Sequence, residues 1–260
     1  MSVGIIAGIK TGIKTGPKVG IASGLWESGG GITVGTDGPN DVYVPVSDDD
    51  FDQLGITPPN SLWLCQEASG NLADSIGSLT LTANASPSYQ QAVTGWTRTG
   101  LQFTQTTANQ RVTATVGLGP LPTTTSSAWL CYVKILASPS STRGILGVGN
   151  DTGVRMPALD KVRATCVGVH VDGTATYFAD GNVHPVIAIY DRTAGTFTVR
   201  TDEEAVTGTY SASAADGQKG FGACAGAGSP APMQLLWACM WQGAAAEAIN
   251  SASLLTSLGW

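Results

Sequence analysis

The chain has 260 residues, a formal net charge of −6 and only 12% charged residues. Its length allows one large all-β domain with appendages or two small domains. The negative charge argues against a nucleic-acid-binding domain, and no uninterrupted apolar run approaches the roughly 20 residues that a membrane span needs. We therefore expect neither nucleic acid nor membrane as a partner. The low charge suits a surface covered in an assembly, or a sandwich with threonine- and serine-rich outer faces.

The first 25 residues repeat with a period of four, with glycine at every fourth position from Gly4 to Gly24. Because four is twice the strand period, an extended chain would carry apolar residues on one face and glycines and lysines on the other. Such a ribbon cannot bury its own apolar face, so residues 1–25 are predicted to be an extended docking arm. The alternative is a disordered glycine-rich leader. The predicted contact residues of the arm are Ile5, Ile9, Lys10, Ile13, Lys14, Pro17, Lys18, Val19, Ile21 and Leu25.

Residues 26–57 are predicted to form a connector that is rich in glycine, proline and aspartate. The segment contains short β-like pieces and SDDDFDQLGI, which is typical of one short capped helix ending at Gly55. Four carboxylates cluster there: Asp48, Asp49, Asp50 and Asp52. Carboxylates at this place favour a helix N-terminus, where they suit the helix dipole, over a metal site.

Five cysteines lie among apolar neighbours: Cys65, Cys131, Cys166, Cys224 and Cys239. Their number is odd and no pair has the spacing of a zinc site, so they are predicted to be buried free thiols. This usage is typical of synthesis in a reducing cytoplasm. No metal or other cofactor is expected.

From Ser61 onward, short strands alternate with turns rich in glycine, asparagine, aspartate and proline, at a spacing of about 8 to 12 residues. This pattern predicts a sandwich or jelly roll over residues 58–260, with one strand at ATYFAD, residues 175–180. Helical spacing appears at the end, from Ala244 to Leu258, and Gly259 would terminate that helix. Four tryptophans in the strands are predicted to anchor the core: Trp63, Trp129, Trp237 and Trp241.

The run SLWLCQEASGNLADSIGSLTLTAN, residues 61–84, resembles the opening of concanavalin A-like, laminin-G-type domains. GLQFT, SSAWLCYVKIL, RGILGVG, HPVIAIYDRTAGTFTV and the closing WQGAAAEAINSASLLTSLGW follow that family's order. The resemblance covers about residues 58–260 and implies an antiparallel β-sandwich that binds glycans or proteins or, in some relatives, cleaves glycosides. With its arm and terminal LGW, the chain looks like the domains found in tailed-phage virion proteins.

Calcium-binding members of the family use acidic side chains at the sandwich rim, and Asp74 and Asp191 occupy loop positions that would suit this. No DxDxDG-like cluster supports a calcium site, so both aspartates are predicted to cap turns instead.

Hydrolases that resemble this family carry an E-x-D-x-x-E strand, and the chain has none. Glu203 and Glu204 are adjacent, so on a strand they would face opposite ways, and Glu67 is predicted to be a structural hydrogen-bond acceptor. His170 and His184 are predicted to be strand residues rather than catalytic bases. We therefore expect a protein that is not an enzyme. A hydrolase would need a carboxylate pair brought together from distant strands.

The first functional hypothesis is a virion structural protein, namely a capsid decoration, head-fibre or tail-associated protein made in the host cytoplasm. Its arm would add as a strand to capsid or tail proteins or to sister chains, in a homo-oligomer for which a trimer is expected. The second hypothesis is a lectin-like module. Tyr89, Trp96 and Tyr177 would then contact glycans, because sugar rings stack on aromatic faces.

Overall fold

The computed structural model describes residues 42–104, 106–114, 125–157, 160–176, 178–210, 217–223 and 227–260. The predicted docking arm over residues 1–25 lies outside these residues, as do Cys224 and Tyr177. The described elements, in chain order, are α1 (Asp48–Gln53), β1 (Ser61–Trp63), β2 (Leu81–Asn84), β3 (Ser88–Ala92), β4 (Thr99–Phe103), β5 (Arg111–Ala114), β6 (Ser127–Ile135), β7 (Arg143–Gly149), β8 (Thr152–Met156), β9 (Arg163–Cys166), β10 (Val169–Asp172), β11 (Val183–Asp191), β12 (Thr196–Arg200), β13 (Ala205–Thr209), β14 (Lys219–Gly222), β15 (Met233–Gln242), α2 (Ala244–Glu247) and α3 (Ser251–Ser257).

The strands form two antiparallel sheets, which confirms the predicted all-β sandwich. The larger sheet has the order β13-β12-β11-β6-β15-β4-β3, with β1 also paired to β15, and the smaller sheet has the order β10-β9-β8-β7-β14-β5-β2. The central strands of both sheets pair with strands distant in sequence, as in β6 between β11 and β15, whereas β7–β10 and β11–β13 pair in chain order. Most of the core therefore depends on non-local strand pairing.

The space between the sheets is filled by aromatic and aliphatic side chains. Trp63 stacks on Trp129 in the larger sheet, with ring centroids 5.9 Å apart, and Phe221 of the smaller sheet meets both rings edge-on. All four predicted tryptophan anchors are fully buried. The described cysteines are buried free thiols as predicted, and burial raises the pKa of Cys166 to about 12, so this thiol stays protonated at neutral pH.

A second apolar cluster covers the outer face of the larger sheet. Phe51 is fully buried between Trp237 and Trp241 of β15, with ring centroids at 6.2 and 6.1 Å. The indole N–H of Trp237 donates to the Pro45 carbonyl at 2.8 Å, and that of Trp241 donates to the Thr57 carbonyl at 2.7 Å. The described part of the predicted connector is thus a layer packed on the sandwich, although the predicted boundary at residue 57 stays untested.

The acidic cluster starts a helix, as predicted. One oxygen of the Asp50 carboxylate accepts the backbone N–H groups of Val46 at 2.8 Å and Ser47 at 3.0 Å, just before α1 begins. Among the described residues, no group of three or more His, Cys, Asp and Glu side chains is arranged to hold a metal ion. None of the helices in this part of the chain is long and apolar enough to cross a membrane.

The C-terminal segment differs from its prediction, because the single helix expected over 244–258 is interrupted between α2 and α3. Ala248 is the C-cap of α2, and Asn250 is the N-cap of α3. Its side-chain oxygen accepts the N–H groups of Ala252 and Ser253 at 3.1 and 3.0 Å. Asparagine is among the strongest N-cap residues, so it favours a fresh helix start over continuation of the first helix.

Candidate functional site: a clamped loop at the sandwich rim

Loops from both sheets meet at one rim of the sandwich, around the connection from β10 to β11. We call residues 173–182 the rim loop. Its first amide, that of Gly173, donates to the Val162 carbonyl at 2.8 Å, and the amide of Phe178 donates to the Asp160 carbonyl at 3.4 Å. The sequence predicted a strand at residues 175–180. The described part of this segment is instead a loop tied to its neighbours by backbone hydrogen bonds.

Glu204, in the turn between β12 and β13, holds the beginning of the rim loop. Its Oε2 accepts the amides of Thr174 at 2.8 Å and Ala175 at 3.4 Å, and the Thr174 hydroxyl at 3.4 Å. The turn is itself fixed, because the amide of buried Thr201 donates to the Glu204 carbonyl at 2.9 Å. Gly173 leaves room for the carboxylate: a Cβ there would lie 2.7 Å from the Glu204 carboxyl carbon.

His184, at the start of β11, holds the end of the rim loop between two carboxylates. Its Nδ1 lies 3.0 Å from both oxygens of Asp202, and its Nε2 lies 3.0 Å from Oδ1 of Asp180. The imidazole is 4% exposed, against 23% for Asp202 and 36% for Asp180. Buried Phe178 packs on the ring with centroids 5.5 Å apart. We call Asp180, His184 and Asp202 the histidine clamp.

The charges of the clamp support one another. Burial by itself would lower the pKa of His184, but hydrogen bonding and charge from Asp202, and then from Asp180, raise that pKa above its ordinary value. Burial likewise opposes ionisation of Asp180. Hydrogen bonds from the Asn182 amide and from His184 outweigh it and lower the pKa of Asp180. Because both ring nitrogens face carboxylate oxygens, the clamp favours the imidazolium form of His184 between two carboxylates.

The rim as a whole is acidic and rich in hydrogen-bond acceptors. The described charged residues of the loops 157–162, 173–182 and 201–204, together with the clamp histidine, are Asp160, Lys161, Asp180, His184, Asp202, Glu203 and Glu204. Carboxylates outnumber cations in this set. Such a surface can accept hydrogen bonds from ligand hydroxyl groups, and it repels anionic groups.

The aromatic residues predicted to contact glycans do not form one platform. Tyr89 packs against the cluster between the sheets, whereas Trp96 belongs to the cluster on the outer face, where it stacks on Trp260 with centroids 6.5 Å apart. These two side chains therefore lie on opposite sides of the larger sheet. Tyr177 is outside the described residues, although its chain neighbours on the rim loop are held by Glu204 and the histidine clamp.

Other predicted roles are structural and are confirmed. Glu67 accepts the Ala73 amide at 2.8 Å, and Asp191 accepts the Ala194 amide at 2.8 Å as a turn cap. His170 and His184 both lie in strands. Sequence reasoning missed the pairing of His184 with Asp180 and Asp202. Only the spacing of Asp180 four residues before His184 gave a local signal for it.

None of the protein-family models and none of the curated proteins matches this chain. Solved structures do share its fold. The Trypanosoma rangeli sialidase in complex with 2,3-difluorosialic acid matches with TM-score 0.57 and 11% identity, over 79% of this chain and 33% of the sialidase. The botulinum neurotoxin serotype D binding domain matches with TM-score 0.52 and 8% identity, over 77% of this chain and 50% of the toxin domain. The botulinum neurotoxin DC binding domain in complex with rat synaptotagmin II matches with TM-score 0.51 and 10% identity, over 78% of this chain and 52% of the toxin domain.

The chain thus spans about a third of the sialidase and about half of the toxin domains. At such low identity the likeness establishes the fold, a β-sandwich shared with sialidase and toxin binding-domain structures. The resemblance to tailed-phage virion proteins stays a prediction.

Proposed function

We propose that this chain is a carbohydrate-binding module and that its rim loop carries the binding surface. The observation that supports the proposal most is the fold: its sandwich matches part of a sialidase whose structure contains a sialic acid derivative. The acceptor-rich rim supplies a surface that suits polyhydroxylated ligands. Binding domains of botulinum neurotoxins share the sandwich, which supports recognition as a use for this fold.

Binding without catalysis is the form of this function that we propose. Three described glutamates hold separate pieces of backbone or side chain. Glu67 holds a loop near β1, Glu204 holds the rim loop, and Glu247 accepts the hydroxyls of Ser126 and Thr193 at 2.6 and 2.8 Å. Most glycosidases, though not sialidases with their tyrosine nucleophile, use two carboxyl groups that flank one bond, whereas each of these glutamates has a structural partner. This division of labour supports a binding role.

We expect neutral saccharides to bind better than sialylated ones, because the rim carboxylates repel an anionic sugar. The measurement is a glycan array probed at pH 6 with the full chain. Tyr177→Ala should weaken binding to the best neutral glycan about tenfold, equivalent to about 1.4 kcal/mol, if its ring stacks on the sugar. Thr256→Ala, on α3 in the outer layer, is the matched surface control and should bind as the unaltered chain does. An array with no signal would reject the proposal, and a preference for sialylated glycans would reject the electrostatic argument.

A second candidate is the virion structural protein, anchored through residues 1–25 to capsid or tail proteins and located in the virion. The period of four in the arm favours it, since an apolar ribbon needs a partner. Both functions are compatible, because a decorating protein can also bind glycans.

For this candidate, the measurement is the solution mass by light scattering. We expect the full chain to form an oligomer and a chain beginning at Trp26 to be a folded monomer. Loss of the arm would remove the apolar face that associates. The double variant Ile9→Asp, Ile13→Asp should behave like the truncated chain, because charge on that face opposes its burial. If the full chain, the truncated chain and the double variant all have the same oligomeric state, self-association through the arm is ruled out.

A further inference from the structure

We propose that the histidine clamp is a pH-sensitive latch for the rim loop, closed while His184 carries its second proton and released when that proton leaves. The latch follows from the geometry of the clamp alone. Its consequence, weaker ligand binding at high pH, rests on the proposed carbohydrate-binding function of the same loop.

Both ring nitrogens of His184 face carboxylate oxygens, so both must carry a proton to donate. A neutral imidazole has one N–H, and its other nitrogen would present a lone pair to an oxygen anion. Deprotonation therefore breaks one of the two contacts. A change of tautomer does not restore the lost contact, because either tautomer leaves one carboxylate without a donor.

The contact to Asp180 is the one that we expect to open. Asp202 places both of its oxygens on Nδ1 and is the more buried of the two carboxylates, so the neutral ring should keep its proton there. Asp180 lies on the rim loop itself and is more exposed. Its carboxylate can turn to water at little cost once Nε2 stops donating, and the end of the rim loop is then released.

Among the described residues, β6, β12 and the β12–β13 turn place no second cation against the imidazole of His184, and the loop 157–162 brings Lys161 to the same rim. On β6, His184 pairs with Val133, while Lys134 pairs with Val183 and so points to the opposite face of the sheet. On β12 the nearest cation in the ladder, Arg200, donates to the Ser251 hydroxyl at 2.9 Å. The remaining charged neighbour in the β12–β13 turn is Glu203, which is exposed and has the wrong sign.

The direction of the pH dependence follows from the raised pKa of His184. The folded protein holds this proton more tightly than the unfolded chain, so the clamp stabilises fully below about pH 6.5 and is lost as the pH rises through the folded-state value. At the acid end, the lowered pKa of Asp180 means that its contribution is lost only as the pH falls below its ordinary value of 3.8. The latch is closed between these limits.

The first test is direct titration of the imidazole by NMR. The chain has two histidines, and a His170→Gln variant, which removes the exposed imidazole on β10, assigns the two signals. The His184 signal should have its midpoint above about pH 6.5. Asp202→Asn and Asp180→Asn should each lower that midpoint by about one unit or more, because each removes one charge partner. A midpoint at or below pH 6.5 in the unaltered chain overturns the proposal.

The second test is hydrogen exchange of the rim-loop amides from pH 5 to pH 9, corrected for the intrinsic rate of each amide. Exchange near Asp180 should accelerate through the His184 midpoint, about tenfold for each unit by which closure of the rim loop raises the pKa of His184. Asp180→Ala, which removes the acceptor for Nε2, should exchange fast at every pH while Asp202 still holds His184. Gly173→Ala, which displaces Glu204, should open the other end of the loop regardless of pH. Unchanged rim-loop exchange across the midpoint overturns the latch.

The glycan array, repeated at pH 6 and pH 9, separates the latch from the function. A signal that falls with the His184 midpoint supports both. Loop opening with no array signal at any pH rejects carbohydrate binding and leaves the latch supported. Loop opening with an undiminished array signal rejects the latch as a regulator of binding.

Discussion

Replacing Phe51 with alanine is expected to lower the free energy of unfolding by about 3–5 kcal/mol. The ring is fully buried between Trp237 and Trp241, so its removal loses the transfer free energy of a phenyl group and leaves a cavity between two indoles. For a chain of this size, the midpoint of thermal unfolding should fall by roughly 10 °C. Urea unfolding followed by tryptophan fluorescence measures the effect, because the cavity borders two of the reporting indoles.

Two further variants make this result specific. Phe51→Leu keeps most of the apolar volume and should cost less than half as much as Phe51→Ala. Val46→Ala changes an exposed side chain of the same segment and should stay within about 0.5 kcal/mol of the unaltered chain. If Phe51→Ala also stayed within that range, residues 42–57 would not unfold together with the sandwich, and the outer layer would be dispensable.

The outer layer shows what the strand pattern could and could not reveal. The sequence of β15, MQLLWACMWQ, is almost continuously apolar, and a strand of this kind is buried on both faces. The burial of β15 on both faces could therefore be predicted. The identity of the cover could not, because Phe51 lies far away along the chain and its segment has the composition of a linker.

The histidine clamp was harder to predict from the sequence. Asp180 precedes His184 by four residues, but Asp202 reaches the imidazole only after β11 and β12 have formed their hairpin. Sequence reasoning considered Glu203 and Glu204 only as they would lie on a strand, where they would face opposite ways. The structure puts them in the turn between β12 and β13, which frees Glu204 to hold the rim loop. The alternation of side chains between two faces holds for strands and not for turns, so it does not predict where Glu203 and Glu204 point.

Asp74, in contrast, was predictable from its turn alone, and its removal is expected to have the second large effect. Its Oδ1 accepts the amides of Leu62 and Gly77 at 2.9 Å and that of Ile76 at 3.2 Å. Its Oδ2 accepts the Leu79 amide at 3.0 Å. One carboxylate thus accepts four backbone hydrogen bonds, from Leu62 in β1 and from three residues of the loop that leads from β1 to β2.

Asp74→Ala should lower the free energy of unfolding by about 2–4 kcal/mol, because it leaves several partly buried N–H groups without an acceptor. Asp74→Asn is the matched control. Its amide oxygen can serve the donors at Oδ1, while its NH₂ group would face the Leu79 amide, donor against donor. The asparagine variant should therefore lose less, about 1–2 kcal/mol. Urea unfolding of both variants at pH 7 measures the difference.

The pH dependence of that loss distinguishes charge from shape. Burial opposes ionisation of Asp74, but the hydrogen bonds from Leu62 and Gly77 lead the effects that outweigh it and lower its pKa below the ordinary value of 3.8. The carboxylate thus stabilises the fold above that value, and its contribution is lost as the pH falls through the folded-state pKa. The gap between the unaltered chain and Asp74→Asn should shrink at low pH. A gap that stays constant from pH 7 to below that pKa would show that the carboxylate acts by its shape, because a neutral acid would then serve the same amides equally well.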